Sequence, residues 1–248
     1  MQGDKPDSTA LYDGSSPLFA SGHYKALVIG SNGAIGNAFV EAFSADKNCI
    51  HVELVSRKSG IGFDLLNSES ISAQASISGE RGPFEVIVDA TGALEINGMG
   101  PEKSLNSVNS EHLTQAFLVN AIGPSMVLRH FTPLLASGSS LYAKLSARVG
   151  SISDNKKGGW YGYRASKAAL NMILQTAAIE LQRKNPNLRV VALQPGTVRS
   201  KLSNPFANSQ MHLLEPDDSV RGMLTALKHL PVKSGAHFID YQGAEIPW

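Results

Sequence analysis

A single cysteine, Cys49, stands in the whole chain, so no intrachain disulfide can brace it, which suits a reducing compartment. Charge of one sign is lacking too: 22 Lys and Arg face 21 Asp and Glu, for a net charge of +1. That balance gives no broad basic field for nucleic acid, and no basic stripe with stacking aromatics is present. Long apolar runs are absent, and none approaches the roughly 18 residues that span a bilayer. The opening residues include Asp4, Pro6, Asp7, Asp13 and Gly14, where a secretory signal needs a basic start and an apolar core. These absences predict a cytoplasmic protein with no nucleic-acid or membrane partner. Cys49, just ahead of an apolar run, reads as a small buried side chain rather than a catalytic thiol. No metal site is read from the sequence.

What is present is an ordinary globular composition, 42% hydrophobic and 17% charged, over 248 residues. That length suits one α/β domain with a sizeable core. Residues 1–22 carry Gly, Ser, Pro and Asp without a period and predict a flexible leader; the domain is expected over 23–248. Strands are predicted at 25–30, 50–55, 84–89, 139–146, 187–194 and 236–241. Helices are predicted at 34–45, 67–78, 110–135, 161–184 and 216–230, with Ser110 capping the third and Pro124 breaking it. Strands alternating with helices predict a parallel sheet covered on both faces, with ligands at its carboxyl edge.

The first strand runs into Gly30-Ser31-Asn32-Gly33-Ala34-Ile35-Gly36 and then a helix. Bare backbone at Gly30 and Gly33 lets a pyrophosphate approach, the helix start offers free N–H groups, and Gly36 permits close packing of helix on strand. Two residues separate each glycine pair, a variant of the usual dinucleotide fingerprint, and turns also use glycine for geometry alone. The following strand ends Val55-Ser56-Arg57-Lys58, with no acid for a ribose 2′-hydroxyl. Arg57 can grip a 2′-phosphate in a fork and Ser56 can donate to it, which favours NADP(H) over NAD(H). The bland alternative is that Arg57 and Lys58 are solvated surface charges.

Tyr163 and Lys167 lie four residues apart on the most convincing helix and so share a face. An ammonium beside a phenol favours the phenolate, so Lys167 is expected to lower the Tyr163 pKa. Such a phenol can protonate a carbonyl oxygen as hydride reaches the carbon. Tyr161 has Ala165 four residues on and lacks this partner.

The glycine turn followed by Tyr163-Arg164-Ala165-Ser166-Lys167 resembles the short-chain dehydrogenase/reductases over about residues 24–248. The stretch from Gly158 to Lys167 and the Ile246-Pro247-Trp248 segment are similar to the branch of the bacterial C-factor and the sniffer-type carbonyl reductases. The resemblance implies a single-domain Rossmann-type doubly wound parallel sheet with helices on both faces. It implies that Asp64 and Leu65 contact adenine. Asp89-Ala90-Thr91-Gly92 stands for the family's Asn-Asn-Ala-Gly segment, with Asp89 and Thr91 departing from it. That segment follows the fourth strand in the family, whereas the sequence yields only two strands before 84–89. Asn120 matches the asparagine that holds a water of the proton relay. Pro195, Gly196, Thr197, Val198 and Ser200 match the segment at the nicotinamide amide and pyrophosphate. Asn120 bonding backbone inside a helix and Pro195-Gly196 forming only a turn are the plain alternatives.

Where the family carries its catalytic serine, Ala147 stands in Leu145-Ser146-Ala147-Arg148. Ser146 is the chosen substitute, with Ser151, Ser153 or no serine as alternatives. Residues 201–215 fall where the family places a substrate lid, and Phe206, Met211 and Leu213 can line an apolar pocket, with His212 as a polar lining. A homodimer or homotetramer is expected from the family. Two functions follow: an NADP(H)-dependent reductase acting on a small-molecule ketone or aldehyde, or a cofactor-binding sensor or signalling protein with little turnover.

Overall fold

Side chains alternate along every strand, and that alternation decides the layers. β1 (Tyr24–Ile29) sends Tyr24, Ala26 and Val28 into one core and Leu27 and Ile29 into the other. The computed structural model describes residues 22–58, 62–199 and 213–248. In it, β2 (Cys49–Val55), β3 (Val86–Asp89), β4 (Ser140–Leu145), β5 (Leu188–Gln194) and β6 (His237–Asp240) join β1 in one parallel sheet, ordered β2-β1-β3-β4-β5-β6. α1 (Ala34–Ala45) and α6 (Pro216–Lys228) cover one face, where Phe39, Phe43, Met223 and Leu227 meet Val28, Val88 and Val191. α2 (Ser68–Gly79), α4 (Gly123–Phe131) and α5 (Tyr161–Gln182) cover the other, where Ile71, Phe131 and Leu174 meet Ile87, Tyr142 and Val190. This is the doubly wound α/β architecture expected from the alternation. Strand order reverses at β1, which opens a crevice between the carboxyl ends of β1 and β3.

The leader, apart from Gly22, lies outside the described residues, as do Ser200, Phe206, Met211 and His212. One expectation is corrected and two gain detail. Asn109, not Ser110, caps α3 (Ser110–Phe117): its Oδ1 accepts the His112 N–H at 2.9 Å, and Ser110 is the first helical residue. The long helix is interrupted at Pro124, as expected, and the form of the break is a π turn. The helix ends as α3, widens into a π turn at Leu118–Ile122, and resumes as α4 with Pro124 in its first turn. Proline has no N–H to give Asn120 four residues back, so the regular ladder cannot run through. Finally, Cys49 begins β2 half-buried, and burial pushes its thiol up to about 11, away from a reactive thiolate. The strand missing before 84–89 in the family's count is also absent here among the described residues. Gly62 to Asn67 runs irregularly, with Phe63 plugged into the core.

Candidate active site at the carboxyl edge of the sheet

Gly30 leaves β1 at φ +82°, a left-handed conformation glycine adopts without strain. A Cβ there would stand 3.1 Å from the Ala90 carbonyl carbon and 3.3 Å from the Thr91 N, so the ends of β1 and β3 touch. At Gly36 a Cβ would fall 2.1 Å from the Gly30 oxygen, which makes this glycine the one that seats α1 on the strand. Gly33 is the N-cap of α1, with no side-chain cap and no acid in the first turn. The N–H groups of Ala34, Ile35 and Gly36 therefore head the helix with its partial positive charge unneutralised. Ser31 is buried and donates to the Val55 carbonyl at 3.3 Å. Asn32 donates to Ser56 Oγ at 2.8 Å, tying the turn to the end of β2, beyond which Arg57 is exposed.

Past β3, the chain is folded back by a buried cluster. Thr91 gives its N–H (2.9 Å) and hydroxyl (2.6 Å) to Asp89 Oδ1, and Lys144 reaches the same oxygen at 3.0 Å. Gly92, at φ +130°, follows, and a Cβ on it would meet Asn120 Oδ1 at 3.1 Å and Lys167 Nζ at 3.4 Å. Asn120 is fully buried in the π turn. Its Oδ1 accepts the Ala93 N–H at 2.9 Å and its Nδ2 donates to the Ala93 carbonyl at 2.8 Å. The bland alternative for its side chain, a backbone bond, is thus what the structure shows.

The loop before α5 curls through three left-handed residues, Gly158, Gly159 and Trp160 (φ +63°, +65° and +56°). Trp160 provides no side-chain cap. Buried Glu102 replaces it: Oε2 accepts the Gly162 N–H at 2.9 Å and Oε1 meets His112 Nδ1 at 3.1 Å. A carboxylate at a helix N-terminus also suits the dipole. The next residue is Tyr163, whose ring is 6.1 Å from that of Trp160. Lys167 Nζ lies 5.7 Å from the centre of the Tyr163 ring and donates to the Leu145 carbonyl at 3.2 Å. The helical spacing thus delivers both groups to one place.

Their charge states correct the sequence expectation. Burial pushes the Tyr163 phenol up, to about 12. Burial, and then repulsion from Lys144, pull Lys167 down to about 7 against the opposing pull of Asp89. An ammonium this ready to lose its proton supports a phenolate weakly, so desolvation of the phenol wins.

Residues 24–210 match the short chain dehydrogenase family. The C-signal protein of Myxococcus xanthus is 34% identical over 168 residues, 67% of this chain and 94% of that one. The 1-hydroxy-2-glutathionyl-2-methyl-3-butene dehydrogenase of Rhodococcus sp. is 26% identical over 188 residues, 75% of this chain and 79% of that one. This chain belongs to the short-chain dehydrogenase family. Among solved structures, a carbonyl reductase from chicken fatty liver with bound NADPH superimposes with TM-score 0.79 at 23% identity, over 91% of this chain and 94% of that one. The carbonyl reductase Sniffer of D. melanogaster gives TM-score 0.78 at 20% identity, over 91% and 100%. These two likenesses show the fold.

For this short-chain dehydrogenase the sequence reading puts Ala147 where the family's serine is expected. Ala147 opens a 3₁₀ turn after β4. Ser146 is buried and commits its hydroxyl to Asn171 Oδ1 at 2.6 Å, one helical turn beyond Lys167. Ser151 Oγ accepts the Asp154 N–H at 3.0 Å, and Ser153 bonds the main-chain oxygen of Trp248. Asp64 turns its carboxylate onto the Leu66 N–H at 2.9 Å, and Leu65 packs where a side chain on Gly123 would stand. Pro195 and Gly196 follow β5. Gly196 is at φ +80°, and the Thr197 carbonyl accepts the Leu214 N–H at 2.9 Å, with Val198 bridged to Leu214. Sequence reasoning missed Glu102, Asn171 and Lys144. A lysine inside Ser-Leu-Tyr-Ala-Lys-Leu, a strand buried throughout, was a signal for the last. Asn171, a turn after Lys167, was another; Glu102 had none.

Proposed function

We propose that the protein is an NADP(H)-dependent oxidoreductase interconverting a ketone or aldehyde and an alcohol, with Tyr163 as general acid and base and Lys167 assisting. The observation that carries this reading is the meeting of Tyr163, Lys167, Gly92 and Asn120 at the strand-order switch, across from an uncapped helix start. The uncapped, acid-free first turn of α1 beside the left-handed Gly30 fits a pyrophosphate. When bound, the dinucleotide supplies or takes the hydride. Ser31, Asn32 and the N–H groups of Ala34, Ile35 and Gly36 hold its phosphates, which approach over the bare Cα of Gly33. Ser56 and Arg57 hold the 2′-phosphate, Asp64 and Leu65 the adenine side, and Ala90, Thr91 and Gly92 the floor. Residues 195–198 serve the nicotinamide end. Tyr163 gives its proton to the carbonyl oxygen in reduction and takes it back in oxidation. Lys167 Nζ, poised near neutrality, exchanges a proton there. With its side chain spent on Ala93, Asn120 contributes to the relay through its main chain. Ser146 can orient the substrate oxygen only by releasing the hydrogen bond that its hydroxyl gives Asn171 Oδ1. The protein acts in the cytoplasm as a homodimer or homotetramer; no helix among the described residues is long and apolar enough to cross a membrane.

Ala147 in the serine's place, with the 34% identity to C-signal, favours a second reading, a cofactor-binding signalling protein with little turnover. One assay separates the two: NADPH oxidation with a panel of ketones, aldehydes and quinones, beside Tyr163→Phe. Turnover that falls about 10²–10⁴-fold in the variant, with NADPH affinity held within a few fold, supports the enzyme. Tight NADPH binding without turnover on any carbonyl refutes it in favour of signalling.

A further inference from the structure

Lys144 is 1% exposed and Asp89 is fully buried, paired across adjacent strands in the β3–β4 register. Lys144 shares the face of Tyr142, toward α4 and α5. Its three N–H donors are answered at short range by Asp89 Oδ1 (3.0 Å), the Thr91 carbonyl (2.6 Å) and Thr91 Oγ1 (3.0 Å), and the Asp89 carbonyl lies at 3.4 Å. Thr91 closes the ring by donating to Asp89 Oδ1. Stability alone does not ask for charges here, because an apolar pair of similar volume usually does as well or better than a buried ion pair. The segment the ring holds is the one that reaches the candidate site. Gly92 follows directly and abuts Lys167 and Asn120, and Asn120 grips Ala93 beyond it.

We propose that Lys144 is a positioning residue for the reaction at Tyr163 and Lys167, clamping Asp89 and Thr91 so that Gly92 is fixed against Lys167. The proposal rests on the enzyme reading above. The same arrangement brings a second buried ammonium near the first. The charged and titratable groups facing Lys167 are Lys144 on β4, Asp89 at the end of β3 and Tyr163 on its own helix. Lys144 repels the Lys167 ammonium and Asp89 attracts it, so the two members of the pair set the pH at which Lys167 gains its proton from opposite sides.

Opposite signs make the test specific. Lysine Cε carbons are labelled in the full chain without cofactor, and the Lys167 resonance is assigned by its absence in Lys167→Met. Titration by NMR is expected to show Lys167 moving up by about one pH unit in Lys144→Met and down by a similar amount in Asp89→Asn. The asparagine keeps an oxygen for Thr91 and Lys144, and its Nδ2 meets the Tyr142 hydroxyl, which can accept where it had donated. With NADPH and a carbonyl substrate, the pH profile of kcat/KM should move in the same two directions. Lys144→Met should also lose about tenfold in kcat with little change in KM. The titration reads the charge coupling, the loss in kcat at constant KM reads the clamp, and a pair that served stability alone would leave kcat in place. If Lys144→Met does not fold, Asp89→Asn decides alone. An unmoved Lys167 titration in a folded variant, or shifts of the same sign in both, overturns the proposal. If wild type reduces no carbonyl, the enzyme reading fails, while the titration still reads the coupling of Lys144 to Lys167.

Discussion

Arg57 and Lys167 show how one side chain's surroundings set its task. Arg57 is exposed beyond β2, beside Ser56, whose Oγ accepts from Asn32 at 2.8 Å. A guanidinium there is available to an anion arriving over the glycine turn. Charged hydrogen bonds of this kind contribute about 1.5–3 kcal/mol, so Arg57→Ala should weaken NADPH about 10–100-fold and leave NADH within a few fold. Fluorescence titration with both nucleotides checks this, and equal losses would remove Arg57 from the 2′-phosphate. Lys167 is buried instead, and its folded pKa of about 7 lies below its ordinary 10.5. Between those values the unfolded chain binds the extra proton. Stability therefore rises with pH from about 7 toward 10.5, and the burial penalty is fully present below about 7. The Lys167 share of the gain from pH 7 to pH 9 is about 2 kcal/mol. Urea unfolding at the two pH values should show Lys167→Met lacking that share, and an equal gain in both proteins would mean the lysine is not depressed.

At the scale of elements, the contact of α1 with β1 depends on one missing side chain. A Cβ at Gly36 would sit 2.1 Å from the backbone oxygen of Gly30, and backbone cannot swing aside as a long side chain can. Gly36→Ala should push the helix start off the strand, cost about 1–3 kcal/mol, and lower NADPH affinity well beyond what that loss of stability alone produces. Thermal unfolding and nucleotide titration on the same preparation test both halves. Local signals of this kind made much of the fold legible: α1 was bounded correctly by the glycine turn and its apolar spacing, and Tyr163 with Lys167 by a four-residue interval. Other features answer to tertiary causes that a linear reading does not carry. Glu102 reaches α5 from 60 residues away to bond Gly162, and nothing near it in sequence marks that role. The π turn around Asn120 was anticipated only as a break at Pro124, because widening the register is one of several ways to absorb a missing N–H. Ser146 was chosen by its place in the sequence, whereas its partner Asn171 is set by how α5 lies across the end of β4.

For the whole molecule, the sheet order gathers the candidate site on one edge, and α5 turns a different surface outward. The crevice where strand order reverses takes residues from β1, β3 and α5. α5 buries Lys167, Leu170, Asn171, Leu174 and Ala178 against the sheet, and its opposite side presents Ala165, Met172 and Ile179 at seven-residue intervals. Met172 is 66% exposed and Ile179 43%, a large apolar stripe for a helix face turned to water. A two-fold pairing of α5 with its copy would cover that stripe by the same patch on both sides. The double variant Met172→Asp, Ile179→Asp should then shift sedimentation from a multimer to a monomer at micromolar concentration, while the wild type stays assembled. The Tyr163–Lys167 pair faces the other way on the same helix, so NADPH affinity should survive the separation. A wild type that sediments as a monomer, or a double variant that stays assembled, would show that α5 is not the interface.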